Sequence, residues 1–214
     1  MKPRETPQRA AAMTLMEVLV VIATLVFFIA IFLPALASMK RKHSHLYCMS
    51  NLKMIGVCYR VLVEDHDGKY PKQMSVANEG VIELVDAGNV AAYFRVMSNE
   101  LVNPEILICP EDIQHISAAN FASLENSNIS YFITLDTVET QPQSLLSGDD
   151  NLMVNGKRVH SGILNLHPND LVTWTKERHQ GAGNILLGDG SVQQASSADL
   201  TSPARFPTNR LAIP

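Results

Sequence analysis

The chain has few cysteines and none of the common catalytic motifs. Its three cysteines, Cys48, Cys58 and Cys109, are too few for a disulfide framework but permit one bridge with one thiol left over. No CxxC motif and no Cys/His pair has the spacing of a zinc site. The sequence also lacks HExxH, P-loop and GxSxG motifs, any Ser-His-Asp pattern, internal repeats and low-complexity tracts. We therefore expect a protein that is not an enzyme.

Basic charge is scarce outside the first part of the chain. The whole sequence has 17 basic and 21 acidic residues, for a formal net charge of -4. Residues 1–42 contain six Lys or Arg against two acidic residues, which leaves 11 basic and 19 acidic residues in 43–214. Nucleic-acid binding depends on clustered Lys and Arg that neutralise phosphates, so the acidic body excludes a nucleic-acid partner.

Residues 13–37 form the one long apolar run. As a helix at about 1.5 Å per residue they would reach roughly 37 Å, enough to cross a hydrocarbon core of about 30 Å. The run exceeds the usual h-region of a secretory signal, and no small-residue cleavage site follows it before the basic residues 40–43. We expect 1–12 to be a basic leader and 13–37 a retained membrane helix, although hydropathy alone equally suits a plain signal peptide or anchor.

One carboxylate, Glu17, interrupts the apolar run near its start. A charge at the centre of a bilayer helix costs about 2.5 to 3.5 kcal/mol on insertion scales, so something must offset it. A partner of opposite charge is one solution. The other is a position near the membrane interface, where water solvates the carboxylate.

The segment around this glutamate resembles a known processing signal. "AAA" at 10–12 followed by "MTLMEVLVVIATL" is similar to the type III signal of type IV pilins and type II secretion pseudopilins. The resemblance implies cleavage between Ala12 and Met13, N-methylation of Met13, and an assembly role for Glu17, with Pro34 matching the proline common in this helix. Ala12 stands where the family usually has Gly, and Met13 where it more often has Phe.

The resemblance also implies a function. Cleavage would create an amine at Met13, and in pilin-like assemblies the glutamate meets the amine of a neighbouring subunit. The implied protein is a structural subunit of a pilus or pseudopilus in the bacterial inner membrane, single-pass, with its leader cytoplasmic and its body periplasmic. Its implied partners are other pilin or pseudopilin subunits, prepilin peptidase and the inner-membrane assembly platform.

The body predicts an α+β fold, in which a long helix packs on a small antiparallel sheet. Apolar residues at three- and four-residue steps extend the helix through 38–65, and Gly56 indicates close packing there. Gly68 and Pro71 end it, and 66–214 then forms the globular domain. The remaining predicted elements are a helix at 79–97 broken at Gly88, strands at 128–136 and 171–179, hairpins at 152–160 and 184–195, and an irregular tail from Ser196.

Near the carboxyl end, His179 precedes Asp189 and Gly190 by nine intervening residues. From the residues alone, we expect an Asp189-Gly190 turn and a His179 that caps or hydrogen-bonds the preceding loop. The spacing is similar to the His, nine residues, Asp-Gly element of a subset of pilin-like proteins. "LICPED" and "LLSGDDN" resemble further segments of that subset, which assigns no chemical role to this element.

The resemblance and the polar residues suggest three further features. Cys48 and Cys109 fall in family-like segments of a body expected in an oxidising compartment, which implies a disulfide between them; three reduced thiols are the alternative. No cofactor is required, but calcium is a candidate, with Asp149, Asp150, Asp170 and Asp189 offering oxygen ligands. The alternatives to a pilin-like subunit are a membrane-anchored binding module and a metal-binding or hydrolytic protein. The latter would use His179 and Asp189 with His160, His167 or Asp170.

Overall fold

The computed structural model describes residues 14–66, 68–78, 80–136, 142–200 and 210–214, without the side chains of 34–43 and 78. The expected leader and the cleavage position between Ala12 and Met13 lie outside the described residues, as does the side chain of Pro34. The chain divides into two compact units, Met1–Lys42 and His43–Pro214. The expected α+β class is confirmed, with a long amino-terminal helix followed by antiparallel sheets.

Helix α1 (Leu15–Asp65) contributes to both units. In the first unit, Leu15–Leu33 is long and apolar enough to span a membrane, and none of it is buried. This segment is therefore a candidate membrane span or signal sequence. Glu17 Oε2 accepts hydrogen bonds from Thr14 N (2.8 Å) and Thr14 Oγ1 (3.2 Å), while Glu17 N donates to Thr14 Oγ1 (3.3 Å). These bonds form a capping box that satisfies backbone donors at the helix start.

In the second unit, α1 is the central core helix. The expected apolar stripe is confirmed from Leu52 onward, where Leu52, Ile55, Tyr59 and Leu62 are buried. At its start the expectation is wrong, because Leu46 is 55% exposed and Met49 is half-buried, while Cys48 is fully buried. Gly56 permits close packing against β7, since a Cβ there would come within 2.7 Å of Leu186 Cδ1. The helix ends as expected near Gly68, which adopts φ +79° and donates its N–H to Val63 O (2.9 Å).

Short helices follow α1, and Gly88 separates the first two as expected. They are α2 (Ile82–Asp86), α3 (Val90–Val96) and α4 (Ser98–Leu101), with single 3₁₀ turns at Pro71–Gln73, Val76–Asn78, Pro104–Leu107, Phe121–Ser123 and Asn126–Asn128. Gly88 adopts φ +84°, a conformation that residues with a Cβ rarely adopt. Asn89 then caps α3 by accepting a hydrogen bond from Ala92 N (3.0 Å).

The strands form two antiparallel sheets. They are β1 (Tyr131–Thr134), β2 (Leu145–Asp149), β3 (Leu152–Val154), β4 (Lys157–Arg158), β5 (Gly162–Asn165), β6 (Val172–Trp174), β7 (Ala182–Leu187), β8 (Val192–Ser196) and β9 (Arg210–Ile213), with α5 (Ser197–Leu200) after β8. The larger sheet has the order β5-β9-β1-β2-β7-β8 and the smaller β4-β3-β6. Both expected hairpins are confirmed, as β3 with β4 and β7 with β8.

The larger sheet is buried on both faces. Tyr131 and Ile133 of β1 belong to the apolar core that contains α1 and α3, whereas Phe132 belongs to a second core with Trp174 of the smaller sheet. Alternate residues of a strand point to opposite faces, so helices cover one face and the smaller sheet covers the other. The sequence predicts the helical layer but not the second β layer.

The expectation of an irregular tail from Ser196 is wrong for α5 and for the last part of the chain. β9 (Arg210–Ile213) lies between β5 and β1, with Ala212 opposite Ile133 on one side and Ile163 on the other. Leu211, Ala212 and Ile213 are almost fully buried. The prolines of the tail suggest a loop, because proline cannot donate a backbone hydrogen bond to a sheet. The four residues of β9 lie between Pro207 and Pro214 and contain no proline.

Candidate functional site: a buried cluster of cysteine, aspartate and histidine

Four chemically active side chains meet inside the body. Cys48 lies on α1, Cys109 in the turn after the 3₁₀ segment Pro104–Leu107, Asp149 at the end of β2, and His179 in the connection between β6 and β7. The first three are 0% exposed and His179 is 5% exposed. One sulfur, oxygen or nitrogen atom from each lies within 4.8 Å of the others.

The contacts within this cluster are short and polar. Cys48 Sγ donates to Asp149 Oδ1 at 3.1 Å. His179 Nε2 lies 3.3 Å from Cys109 Sγ and 3.4 Å from Asp149 Oδ2. Tyr131 closes one side, with its hydroxyl 3.4 Å from Cys48 Sγ. The two sulfurs therefore face the carboxylate and the imidazole at a common centre.

Backbone and amide donors hold Asp149 in place. Asp149 Oδ2 accepts hydrogen bonds from Asn184 N (2.6 Å) and Asn184 Nδ2 (2.9 Å). Asn184 is on β7, the neighbour of β2 in the sheet. A buried carboxylate is costly unless it is hydrogen-bonded, so these donors stabilise it and fix its orientation.

Glu111 holds His179 on the side away from Cys109 and Asp149. The backbone N–H of His179 donates to Glu111 Oε2 (2.7 Å), and Nδ1 lies 3.3 Å from the same oxygen without forming a hydrogen bond to any described residue. The His179 backbone has φ +49°, a strained region for a residue with a Cβ. The His45 ring packs edge-on against it, with 5.0 Å between ring centroids. The imidazole thus presents Nε2 to the cluster.

The environment shifts the acidity of the cluster. Burial raises the pKa of the Cys48 thiol, and a hydrogen bond with Cys109 adds to this. The hydrogen bond with Cys48 lowers the pKa of the Cys109 thiol to about 7, and the hydrogen bond with His179 lowers it too. Burial acts in the opposite direction. Burial opposes charge on His179, but its contacts with Asp149 and Cys109 raise its pKa to about 10. These shifts favour an anionic Cys109 beside a protonated His179.

Beside this cluster lies a second group of polar side chains, in which an arginine pairs with two carboxylates. Arg178 forms ion pairs with Asp112 (Nη1 to Oδ2, 3.1 Å) and Asp150. His115 Nδ1 is 2.7 Å from Asp112 Oδ2, and Ser130 Oγ donates to the same oxygen at 2.8 Å. Despite burial, the bond to His115 and the charge of Arg178 hold the Asp112 pKa below its usual range. Burial raises the pKa of Asp150 to about 6, against the effect of Arg178.

The nine residues between His179 and Asp189 consist mainly of strand β7, and residues at both ends of this interval contact α1. β7 occupies most of the interval, and Asp189 and Gly190 form the expected turn to β8. Lys53 Nζ donates to Gly190 O (2.5 Å), and Arg60 donates to Asp189 O. At the other end, His179 contacts Cys109 and Asp149 instead of capping its own loop, which corrects that expectation.

The four calcium candidates lie in four different surroundings. Asp149 is in the buried cluster and Asp150 pairs with Arg178. Asp170 accepts hydrogen bonds from His167 N (2.8 Å) and Asn155 Nδ2 (2.7 Å), and Asp189 accepts one from Ser191 N (2.8 Å). Among the described residues, neither group of metal-type ligands contains Asp170, Asp189, His160 or His167. A site combining these residues with His179 is therefore not assembled here.

The structure brings together the two cysteines of the predicted disulfide, but as thiols. All three cysteines are free, and the sulfurs of Cys48 and Cys109 lie within 4.8 Å of each other. The disulfide between them stays a prediction. Cys58 lies elsewhere on α1, where its thiol donates to Glu100 O at 3.2 Å.

Sequence motifs do not reveal the cluster, because its members come from distant segments. Cys48 and Asp149 are 101 residues apart, and Cys109 and His179 are 70 residues apart. Comparison of the chain with protein-family models, with curated proteins and with solved structures finds no match.

Proposed function

We propose that the chain is a prepilin-like structural subunit, cleaved and N-methylated by prepilin peptidase, that assembles into a type IV pilus or type II secretion pseudopilus. The proposal rests on the exposed apolar segment Leu15–Leu33, which has one carboxylate, Glu17, near its start. A fully exposed apolar surface of this length requires a membrane or other helices to cover it. A filament core of packed helices provides the second environment.

Glu17 has a local role and a proposed intermolecular one. In the single chain its carboxylate accepts both Thr14 donors, which caps the helix. In the filament, cleavage after Ala12 frees an amine at Met13, and the Glu17 carboxylate pairs with that amine on a neighbouring subunit. The charge would then set the register of the packed helices, since an unpaired carboxylate in an apolar surrounding is costly.

The proposed location and partners follow from this assembly. The segment Leu15–Leu33 holds the subunit in the bacterial inner membrane, with the leader cytoplasmic and the acidic body periplasmic. Prepilin peptidase, the inner-membrane assembly platform and other pilin or pseudopilin subunits are the partners. The function requires no turnover of a substrate.

The first prediction concerns the amino terminus of the mature protein. We expect the native membrane-associated protein to begin at Met13 and to carry one added methyl group, because prepilin peptidase cleaves and methylates at one position. Peptide mass spectrometry of the protein from its native host measures this directly. A chain that begins at Met1 in cells with an active peptidase would contradict the proposal and favour a simple membrane-anchored module.

A matched pair of variants separates the assembly role of Glu17 from its capping role. Glu17→Gln keeps an oxygen that accepts the Thr14 hydrogen bonds but removes the charge, whereas Thr14→Ala removes the two bonds of the Thr14 hydroxyl but keeps the carboxylate. We expect Glu17→Gln to remain in the membrane and disappear from crosslinked multimers, and Thr14→Ala to assemble. Multimers of Glu17→Gln at the wild-type level would refute the assembly role.

A further inference from the structure

We propose that Cys48, Cys109, Asp149 and His179 bind one zinc ion in a closed structural site. This site lies in the body and does not depend on the proposed pilin-like function. The four residues are brought together by α1, a turn, β2 and the connection before β7. A bound ion would therefore link four segments of the chain.

The spacing of the ligand atoms suits a tetrahedral ion. Zinc lies at about 2.3 Å from sulfur and about 2.0 to 2.2 Å from nitrogen or oxygen, so tetrahedral ligands are separated by roughly 3.3 to 3.8 Å. His179 Nε2 lies 3.4 Å from Asp149 Oδ2 and 3.3 Å from Cys109 Sγ. Small side-chain adjustments would complete the geometry, because one atom of each of the four residues already lies within 4.8 Å of the others.

The set of donor atoms favours zinc over calcium and magnesium. Two thiolates, one imidazole and one carboxylate form a mixed sulfur, nitrogen and oxygen site, which suits zinc. Calcium and magnesium prefer oxygen ligands alone. All four residues are buried, and four protein ligands complete a tetrahedron, so the site is of the structural kind.

The residues around the ligands provide a second, independent observation. His179 Nδ1 points away from the cluster toward Glu111 Oε2, at 3.3 Å, and Asn184 donates two hydrogen bonds to Asp149. Metal-bound histidines typically donate their other ring nitrogen to a carboxylate, and metal-bound carboxylates are themselves hydrogen-bonded. Asn184 already makes such bonds, and Glu111 lies close enough to accept one from Nδ1 after a small rotation of the imidazole.

Two other states compete for the same space. A Cys48 to Cys109 disulfide would remove both thiolate ligands, and a metal-free cluster would keep both thiols protonated or hydrogen-bonded. Only the zinc state uses all four side chains as ligands of one centre, whereas the metal-free cluster uses the carboxylate and the imidazole as hydrogen-bond partners of the two sulfurs. In the zinc state, the ion replaces two protons, one from Cys48 and one held by the pair of Cys109 and His179, and both are released to solvent.

The test uses the full-length protein, purified in mild detergent without chelator or reducing agent. We expect about one zinc per chain by elemental analysis, and three reactive thiols after denaturation with chelator. Exchange with Co²⁺ is expected to give the visible absorption of a tetrahedral site together with a thiolate charge-transfer band. These measurements on the wild-type chain do not depend on the folding of any variant.

Two outcomes would overturn the proposal. One reactive thiol and no zinc would show that the two cysteines form a disulfide. Three thiols, with no zinc bound when micromolar zinc is added to the reduced protein, would show a hydrogen-bonded cluster without a metal.

Matched variants locate the site. Cys109→Ser is expected to lower zinc content at least tenfold, whereas Cys58→Ser, which changes a buried cysteine outside the cluster, retains it. Glu111→Gln tests the positioning residue, and we expect about 10- to 100-fold weaker zinc binding with an unchanged stoichiometry at saturation. Equal zinc content in Cys109→Ser and the wild type would refute this ligand set.

Discussion

Arg178→Met is expected to lower the free energy of unfolding by about 3 to 5 kcal/mol. Arg178 is 5% exposed and pairs with two buried carboxylates, Asp112 and Asp150. Methionine has a similar length but no charge, so both buried carboxylates would lose the guanidinium and keep only the His115 ring, which lies 2.7 Å from Asp112 and 4.0 Å from Asp150. Urea denaturation of the full-length protein in mild detergent, followed by the fluorescence of the single Trp174, measures the loss.

Two further variants test the cause of this loss. Arg158→Met removes a half-exposed arginine that pairs with Glu177, and it is expected to cost less than about 1 kcal/mol. Adding Asp150→Asn to Arg178→Met neutralises one of the stranded carboxylates and is expected to recover part of the stability. Equal losses for Arg158→Met and Arg178→Met would contradict the assignment of a buried ion-pair group.

Leu211→Ala is expected to lower the free energy of unfolding by about 2 to 5 kcal/mol. Leu211 lies in β9, is fully buried, and pairs with Thr134 of β1 and Leu164 of β5. Its removal would leave a cavity in the core between the two sheets, since Leu211 belongs to the same apolar cluster as Phe132 and Trp174. The same urea experiment measures the change.

The control for this variant is a leucine on the surface. Leu171 is 52% exposed, and Leu171→Ala is expected to change stability by no more than about 0.5 kcal/mol. If Leu211→Ala were as mild as Leu171→Ala, the segment 210–213 would not be a packed strand. Irregular structure would then describe residues 210–213 correctly.

Local patterns in the sequence predict the elements that depend on local physics. The spacing of Leu52, Ile55 and Tyr59 identifies the buried face of α1, because side chains three and four residues apart share one side of a helix. The Asn155-Gly156 and Asp189-Gly190 dipeptides locate two turns, since each provides a glycine at positive φ. Thr14 and Glu17 have the three-residue spacing of the capping-box motif, so the sequence does contain the signal for this cap. In an apolar run, the charge of Glu17 is the more obvious feature.

The sequence does not predict features that depend on contacts between distant segments. β9 is a short apolar segment between prolines, and only its two partner strands define it as a strand. The cluster around His179 is similar, because Cys48 and Asp149 meet only after α1 has packed on the sheet. The spacing to Asp189 and Gly190 draws attention to His179, but it does not identify Cys109 or Glu111 as its neighbours.

The position of β9 also constrains the order of folding. Among the described strands of the larger sheet, β5 pairs with β9 alone, so β5 cannot join that sheet until residues 210–213 have inserted beside β1. Such pairing between distant segments closes long loops and is intrinsically slow. Before insertion, β1 and β5 would each present unpaired backbone groups that attract other strands. The late arrival of one four-residue strand therefore makes its own partners the segments most exposed to misassociation during folding.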